Sequence, residues 1–177
     1  MEIRLDEHEK RICAWLAKQR HASNRQAAVC NLQVGPQSNE MTELEGIGGE
    51  FAFCKLLNLY PDMSIKIGAG GADAKVGHLS VDVKTTTYLN GKLLAHVRKA
   101  EVACDIYVLV VGQMPTYRIA GWAYDLELLN ERRLIDLGHG PVYAMTQSEL
   151  RPMSELEAVA EFYSSTMSVG DKGGIAP

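Results

Sequence analysis

Leu79–Lys84, LSVDVK, alternates apolar and polar side chains at the period of two that marks a half-buried β-strand. Val81 and Val83 then point into a core, while Asp82 and Lys84 share the opposite face, roughly 6–7 Å apart along the strand. Just upstream, Gly68–Gly77 reads GAGGADAKVG, a glycine-rich turn that carries Asp73 and lets the backbone reverse tightly. A hairpin returning through Gly77 sets Asp73 beside Asp82. Two carboxylates on one spot repel unless a cation lies between them, and oxygen-only ligands favour Mg²⁺ or Mn²⁺. Such an ion polarises a phosphodiester, lowers the pKa of a bound water and neutralises developing charge. A lysine beside it can orient or deprotonate that water, or stabilise the transition state.

Outward from this strand, the chain predicts an α/β fold. Before it, Thr42–Leu59 reads as a helix, opened by Thr42 with Glu45 at the capping-box spacing and ended by Pro61. Leu44, Ile47, Phe51, Phe53, Cys54, Leu56 and Leu57 would face the core, and Glu50 projects as a third acid for the site. Glu43 and Glu45 read as first-turn charges favoured by the helix dipole. Met63, Ile65 and Ile67 form a strand antiparallel to Leu79–Val83, with GAGGADAKVG as the loop between them. Further strands are expected at Leu93–Val97, at Ile106–Val111 and at Tyr117–Trp122, the last ending on a core Trp122. The unbroken apolar run IYVLVV of Ile106–Val111 suits a central strand covered on both faces. Residues 124–133 and 154–164 predict short helices. At the N-terminus, residues 4–20 form a helix with Leu5, Ile12, Trp15 and Leu16 on one stripe, and Ser23 or Asn24 caps a second short helix through Ala27–Val29. Val34–Asn39 is a loop. A mixed sheet flanked by helices buries both faces of such strands.

The bulk properties exclude several classes. The chain has 177 residues, 46% apolar and 23% charged, which suits one globular domain, residues 1–177. Within it residues 1–40 form a helical extension, 42–135 the core, and 168–177, rich in glycine, a flexible tail. No run approaches a membrane span, and the acidic start of the chain lacks the apolar segment of a secretory signal, so a cytoplasmic location is expected. Cys13, Cys30, Cys54 and Cys104 lack any CxxC spacing and read as reduced and mostly buried. The formal net charge of −4 counts against a non-specific nucleic-acid coat protein but leaves room for one basic surface.

The order Asp73, then Asp82-Val83-Lys84, resembles the PD-(D/E)XK, or restriction-endonuclease-like, nuclease superfamily. In that superfamily an Asp and then an acid two residues before a Lys form the metal site. GIGGEFAFCKLL, residues 46–57, resembles the first helix of that fold, whose Glu often joins the site; Glu50 matches it. The resemblance spans about Glu43 to Trp122 and implies a divalent-metal-dependent DNA nuclease, of the kind found in phage and bacteria. It makes Asp73, Asp82 and Glu50 ligands of Mg²⁺ or Mn²⁺ and Lys84 the catalytic lysine. Lys99 matches the Lys or Gln that the superfamily often places on the helix after the catalytic strand. One departure is Ala72, which stands where the family often has Pro.

An Asp-x-Lys pair by itself is commonly the solvated face of a strand; the ordered combination with a Gly-rich Asp turn and a helix Glu carries the reading. Lys92, Arg98, Lys99 and Arg118 are candidates for phosphate contacts, with a solvated face as the plain alternative. Thr85, Thr86 and Thr87 suit a strand by β-branching and could also touch phosphate. Tyr88 either stacks on a base or braces a turn. His78, His96 and His139 read as surface or loop residues rather than ligands. The expected partners are DNA and a second copy of the chain. The rival functions are an inert DNA- or protein-binding module on the same fold, a Holliday-junction resolvase or RNA nuclease, and an interaction protein whose acids are only surface charge.

Overall fold

A computed structural model describes residues 2–26, 38–65, 71–97, 104–138 and 140–169. Its centre is the strand expected from the apolar run. This strand, β5 (Ile106–Gln113), buries every side chain from Ile106 to Val111. It pairs in parallel with β3 (Leu79–Thr86), register Asp82 to Tyr107 and Lys84 to Leu109, and antiparallel with β6 (Thr116–Tyr124). The sheet is completed by β1 (Glu2–Arg4) beside β6 and β2 (Ala74–Val76) beside β3, giving the order β1-β6-β5-β3-β2. It is a mixed sheet flanked by helices, as the sequence predicts.

The two faces of β5 feed two apolar clusters. Ile106, Val108 and Val110, with Val81 and Val83 of β3, pack under α1 (Glu7–Gln26) and α2 (Asn39–Leu56). Leu156 of α4 (Met153–Val169) joins the same cluster. Tyr107, Leu109 and Val111 pack the other way, against a second sheet that was not anticipated. In it β4 (Leu93–His96), β8 (Pro141–Met145) and β7 (Leu134–Asp136) lie in that order, and Leu93, Ala95, Tyr143 and Met145 line its inner side. The short helix α3 (Asp125–Leu128) buries Leu128 in the same cluster.

Several local expectations are corrected. The N-terminal helix begins at Glu7, after β1, and continues through Ser23 and Asn24, which therefore cap nothing; Ala27–Val29 lie outside the described residues. Its buried stripe is Cys13, Leu16 and Ala17, whereas Ile12 and Trp15 are exposed. α2 starts three residues early because Ser38, not Thr42, is its N-cap, accepting from the Met41 N–H at 3.2 Å. It stops at Leu56, before Pro61, and Asn58 takes a positive φ of 53° in the turn that follows. Met63–Ile65 are not a strand, and Ile67 lies outside the described residues. The partner of β3 is instead β2, inside the stretch expected to be a loop, joined to it by the tight turn Gly77-His78. β4 pairs with β8 rather than extending the main sheet. The helix expected at 124–133 is α3 followed by a single 3₁₀ turn at Glu131–Arg133. Cys13, Cys54 and Cys104 are buried and in no disulfide among the described residues, while Cys30, Arg98, Lys99, His139 and residues 170–177 lie outside the described residues.

Candidate active site

The alternation of β3 holds: Val81 and Val83 sit in the cluster under α2, while Asp82 and Lys84 share the face of Tyr107 and Leu109. Asp82 is 1% exposed, and its carboxylate forms an ion pair with the Lys84 ammonium. A carboxylate that far from water is tolerated because the cation two residues along the strand stays beside it.

Asp73 is brought to the same strand by the hairpin. Its N–H donates to the Val81 carbonyl at 2.8 Å, one step beyond β2. Its carboxylate then accepts from the Val83 N–H at 2.7 Å, continuing the ladder with a side chain where the partner strand has ended. The acid is thereby docked on the edge of β3 against Val81 and Val83, the two residues that flank Asp82.

Glu50 arrives from the α2 side. Gly48 and Gly49 let the helix lie directly on the sheet, since a Cβ on either would run into Tyr117 or Thr85. The Glu50 carboxyl is pushed up to about 7, first by burial and next by the negative charge of Asp73, against the pull of Arg20 and then of Lys84. The charges of Asp73 and Lys84 thus act on a Glu50 carboxyl that burial has already shifted.

Arg20, which the sequence does not single out, holds this carboxyl. Its guanidinium pairs with Glu50 at 3.1 Å and donates to the Ser64 carbonyl at 3.2 Å and the Asp62 carbonyl at 2.8 Å. One α1 side chain thus ties the acid on α2 to the chain that follows Leu59. The Cys13 and Cys54 thiols are each pushed up to about 12. For Cys13 the causes are burial, then Glu9 and Glu50; for Cys54, burial, then Glu50 and Asp73. Both are protonated at neutral pH and serve as packing rather than as nucleophiles.

Glu45 corrects the expectation of a solvated first-turn charge. It is 9% exposed and accepts from the Met114 N–H at 2.9 Å and the Tyr117 hydroxyl at 2.8 Å, pinning α2 to the β5–β6 hairpin. Glu43 likewise turns inward, to His21 Nδ1 at 3.2 Å and Asn24 Nδ2 at 3.2 Å. Of the phosphate-contact candidates, Lys92 is exposed. Arg118 donates to Gln147 Oε1 at 2.8 Å, and the Gln147 amide in turn holds the carbonyls of Leu89 and Gly91. Tyr88 is 64% exposed at the tip of that braced loop.

Among the described residues no group of three or more His, Cys, Asp and Glu side chains converges as a ready metal cage. The oxygen donors present still suit a hard cation. The negative charge of Asp73 raises the pKa of Glu50, a repulsion that a dication would relieve, and Mg²⁺ commonly uses one or two carboxylates and completes its shell with water and substrate phosphate. No helix among the described residues is long and apolar enough to cross a membrane. Compared with protein families, with characterised proteins and with solved structures, the chain shows no significant match to any.

Proposed function

We propose that the protein is a divalent-metal-dependent DNA nuclease of the restriction-endonuclease-like kind, acting in the cytoplasm. The observation that carries this reading is the seat of Asp73. Its carboxylate hydrogen-bonds the Val83 N–H of the strand bearing Asp82 and Lys84, and its charge also raises the pKa of Glu50. Asp73 is thus hydrogen-bonded to the strand that carries Asp82 and Lys84 and is electrostatically linked to Glu50 on α2.

In this reading Asp73, Glu50 and Asp82 would hold Mg²⁺ or Mn²⁺, which supplies a polarised phosphodiester and an acidic water when bound. Lys84 holds a proton at Nζ beside the Asp82 carboxylate and is the group placed to donate to a phosphate oxygen or orient the attacking water. Arg20 fixes the direction from which Glu50 enters. The substrate is DNA, and a homodimer would let one small domain act on both strands.

The test is cleavage of supercoiled, linear and branched DNA with Mg²⁺, with Mn²⁺ and with EDTA. Cutting is expected with either metal and not with EDTA, and Asp82→Ala or Lys84→Ala should each lower the rate at least about a hundredfold. Binding of DNA by the wild type without any cutting would sink the nuclease and leave a binding module on this fold.

A further inference from the structure

A cleft of about 530 Å³ opens directly beside Asp73. Its walls are the segment Leu59–Met63 on one side and Ala72–Lys75 on the other, and the acid docked on β3 forms part of its lining. That volume falls in the range of small-molecule sites. Its composition is graded. Pro61, Met63 and the alanines give apolar walls. Tyr60 stands at the rim, 86% exposed, and Lys75 supplies a cation. Asp62 adds a carboxylate, which accepts from the Ser64 N–H at 2.9 Å.

The wall is also held in place. The Arg20 guanidinium holds the Asp62 and Ser64 carbonyls while it pairs with Glu50. The cleft and the Glu50 carboxyl are consequently registered to each other by one side chain.

We infer that this cleft seats a single unstacked nucleotide next to the bond that is cut, its base on the face of Tyr60 and a phosphate at Lys75. An aromatic face accepts any base, and a base inside an intact duplex cannot reach such a cleft without leaving its stack. The substrate class is therefore single-stranded, frayed or branched DNA rather than intact duplex. The inference rests on the nuclease reading for the position of the cut bond, so binding and cutting are measured apart.

For binding, the full-length protein in EDTA is titrated with a single-stranded oligonucleotide carrying 2-aminopurine and with its fully paired duplex. Quenching of the single-stranded probe is expected in the wild type. It should be lost in Tyr60→Ala with about a tenfold weaker affinity, and restored in Tyr60→Phe, which keeps the stacking face. Quenching that is absent, unchanged by Tyr60→Ala, or equal for the duplex overturns the cleft assignment. For cutting, Mg²⁺ is added to the same substrates. Tyr60-dependent quenching without any cutting removes the nuclease and keeps a nucleotide-binding cleft. Cutting with no dependence on Tyr60 keeps the nuclease and removes the cleft.

Discussion

Glu50 carries the most testable electrostatics in the molecule. Its folded pKa, about 7, lies above the ordinary value of 4.5, because burial and then Asp73 disfavour its charged form. The folded state binds this proton more tightly than the unfolded state does. Its contribution to stability is therefore whole below about pH 4.5 and is lost as pH rises through about 7. In EDTA, the melting temperature of the wild type should carry a downward component across that window that Glu50→Gln lacks; parallel pH profiles would refute this. Glu45 makes a different prediction, since its carboxylate satisfies two donors under the hairpin. Glu45→Ala should cost about 1–3 kcal/mol in urea denaturation, because it strands the buried donors it leaves behind. Asp73, Asp82 and Lys84 were legible in the sequence because their spacing is local to one hairpin. Arg20 and Glu45 were not: Arg20 meets partners 30 to 44 positions away, Glu45 partners 69 and 72 positions away, and no local pattern encodes such pairings.

Among the elements, α2 shows how small residues set distance. At Gly49 a Cβ would press on the Thr85 side chain, whereas at Gly46, on the same helix, it would meet nothing within 4 Å. Gly49→Ala should therefore destabilise by about 1–3 kcal/mol through overpacking. Gly46→Ala should stabilise by about 0.5–1 kcal/mol through helix propensity alone. Opposite signs in the same unfolding assay would establish the close approach of helix to sheet; like signs would deny it. The sequence revealed β3, β4, β5 and β6, and β3 and β5 most plainly, because their side chains alternate or run apolar long enough to register a period. The strands it hid are short. β1 is three residues, EIR, and β2 is three residues, AKV, inside a glycine-rich stretch that reads as a turn. β7 and β8 owe their pairing to each other and to β4, not to any strong pattern of their own.

Across the whole molecule, β5 is shared property. Its alternate residues Ile106, Val108 and Val110 belong to one apolar cluster and Tyr107, Leu109 and Val111 to the other. Neither cluster can loosen without exposing one face of the same strand, so the described fold should unfold as one unit. Trp122 is buried in the first cluster and Tyr143 in the second. In a Trp15→Phe background, Trp122 fluorescence, near-ultraviolet tyrosine dichroism and far-ultraviolet dichroism should trace a single urea transition. Separated midpoints would show the two layers melting apart. The same strand explains why the general α/β class was readable while the layering was not. An unbroken apolar run announces that both faces are covered but says nothing of what covers them.

Arg20 has a single guanidinium divided between a carboxylate on one helix and two carbonyls on the segment that walls the cleft. A shared donor of this kind obeys reciprocity. Whatever draws Asp62–Ser64 away with the guanidinium weakens the hold on Glu50 and favours its proton. By the same free energy, protonating Glu50 must loosen that segment's tether. The position of that segment and the ionisation of the acid are thereby linked through one side chain that holds both.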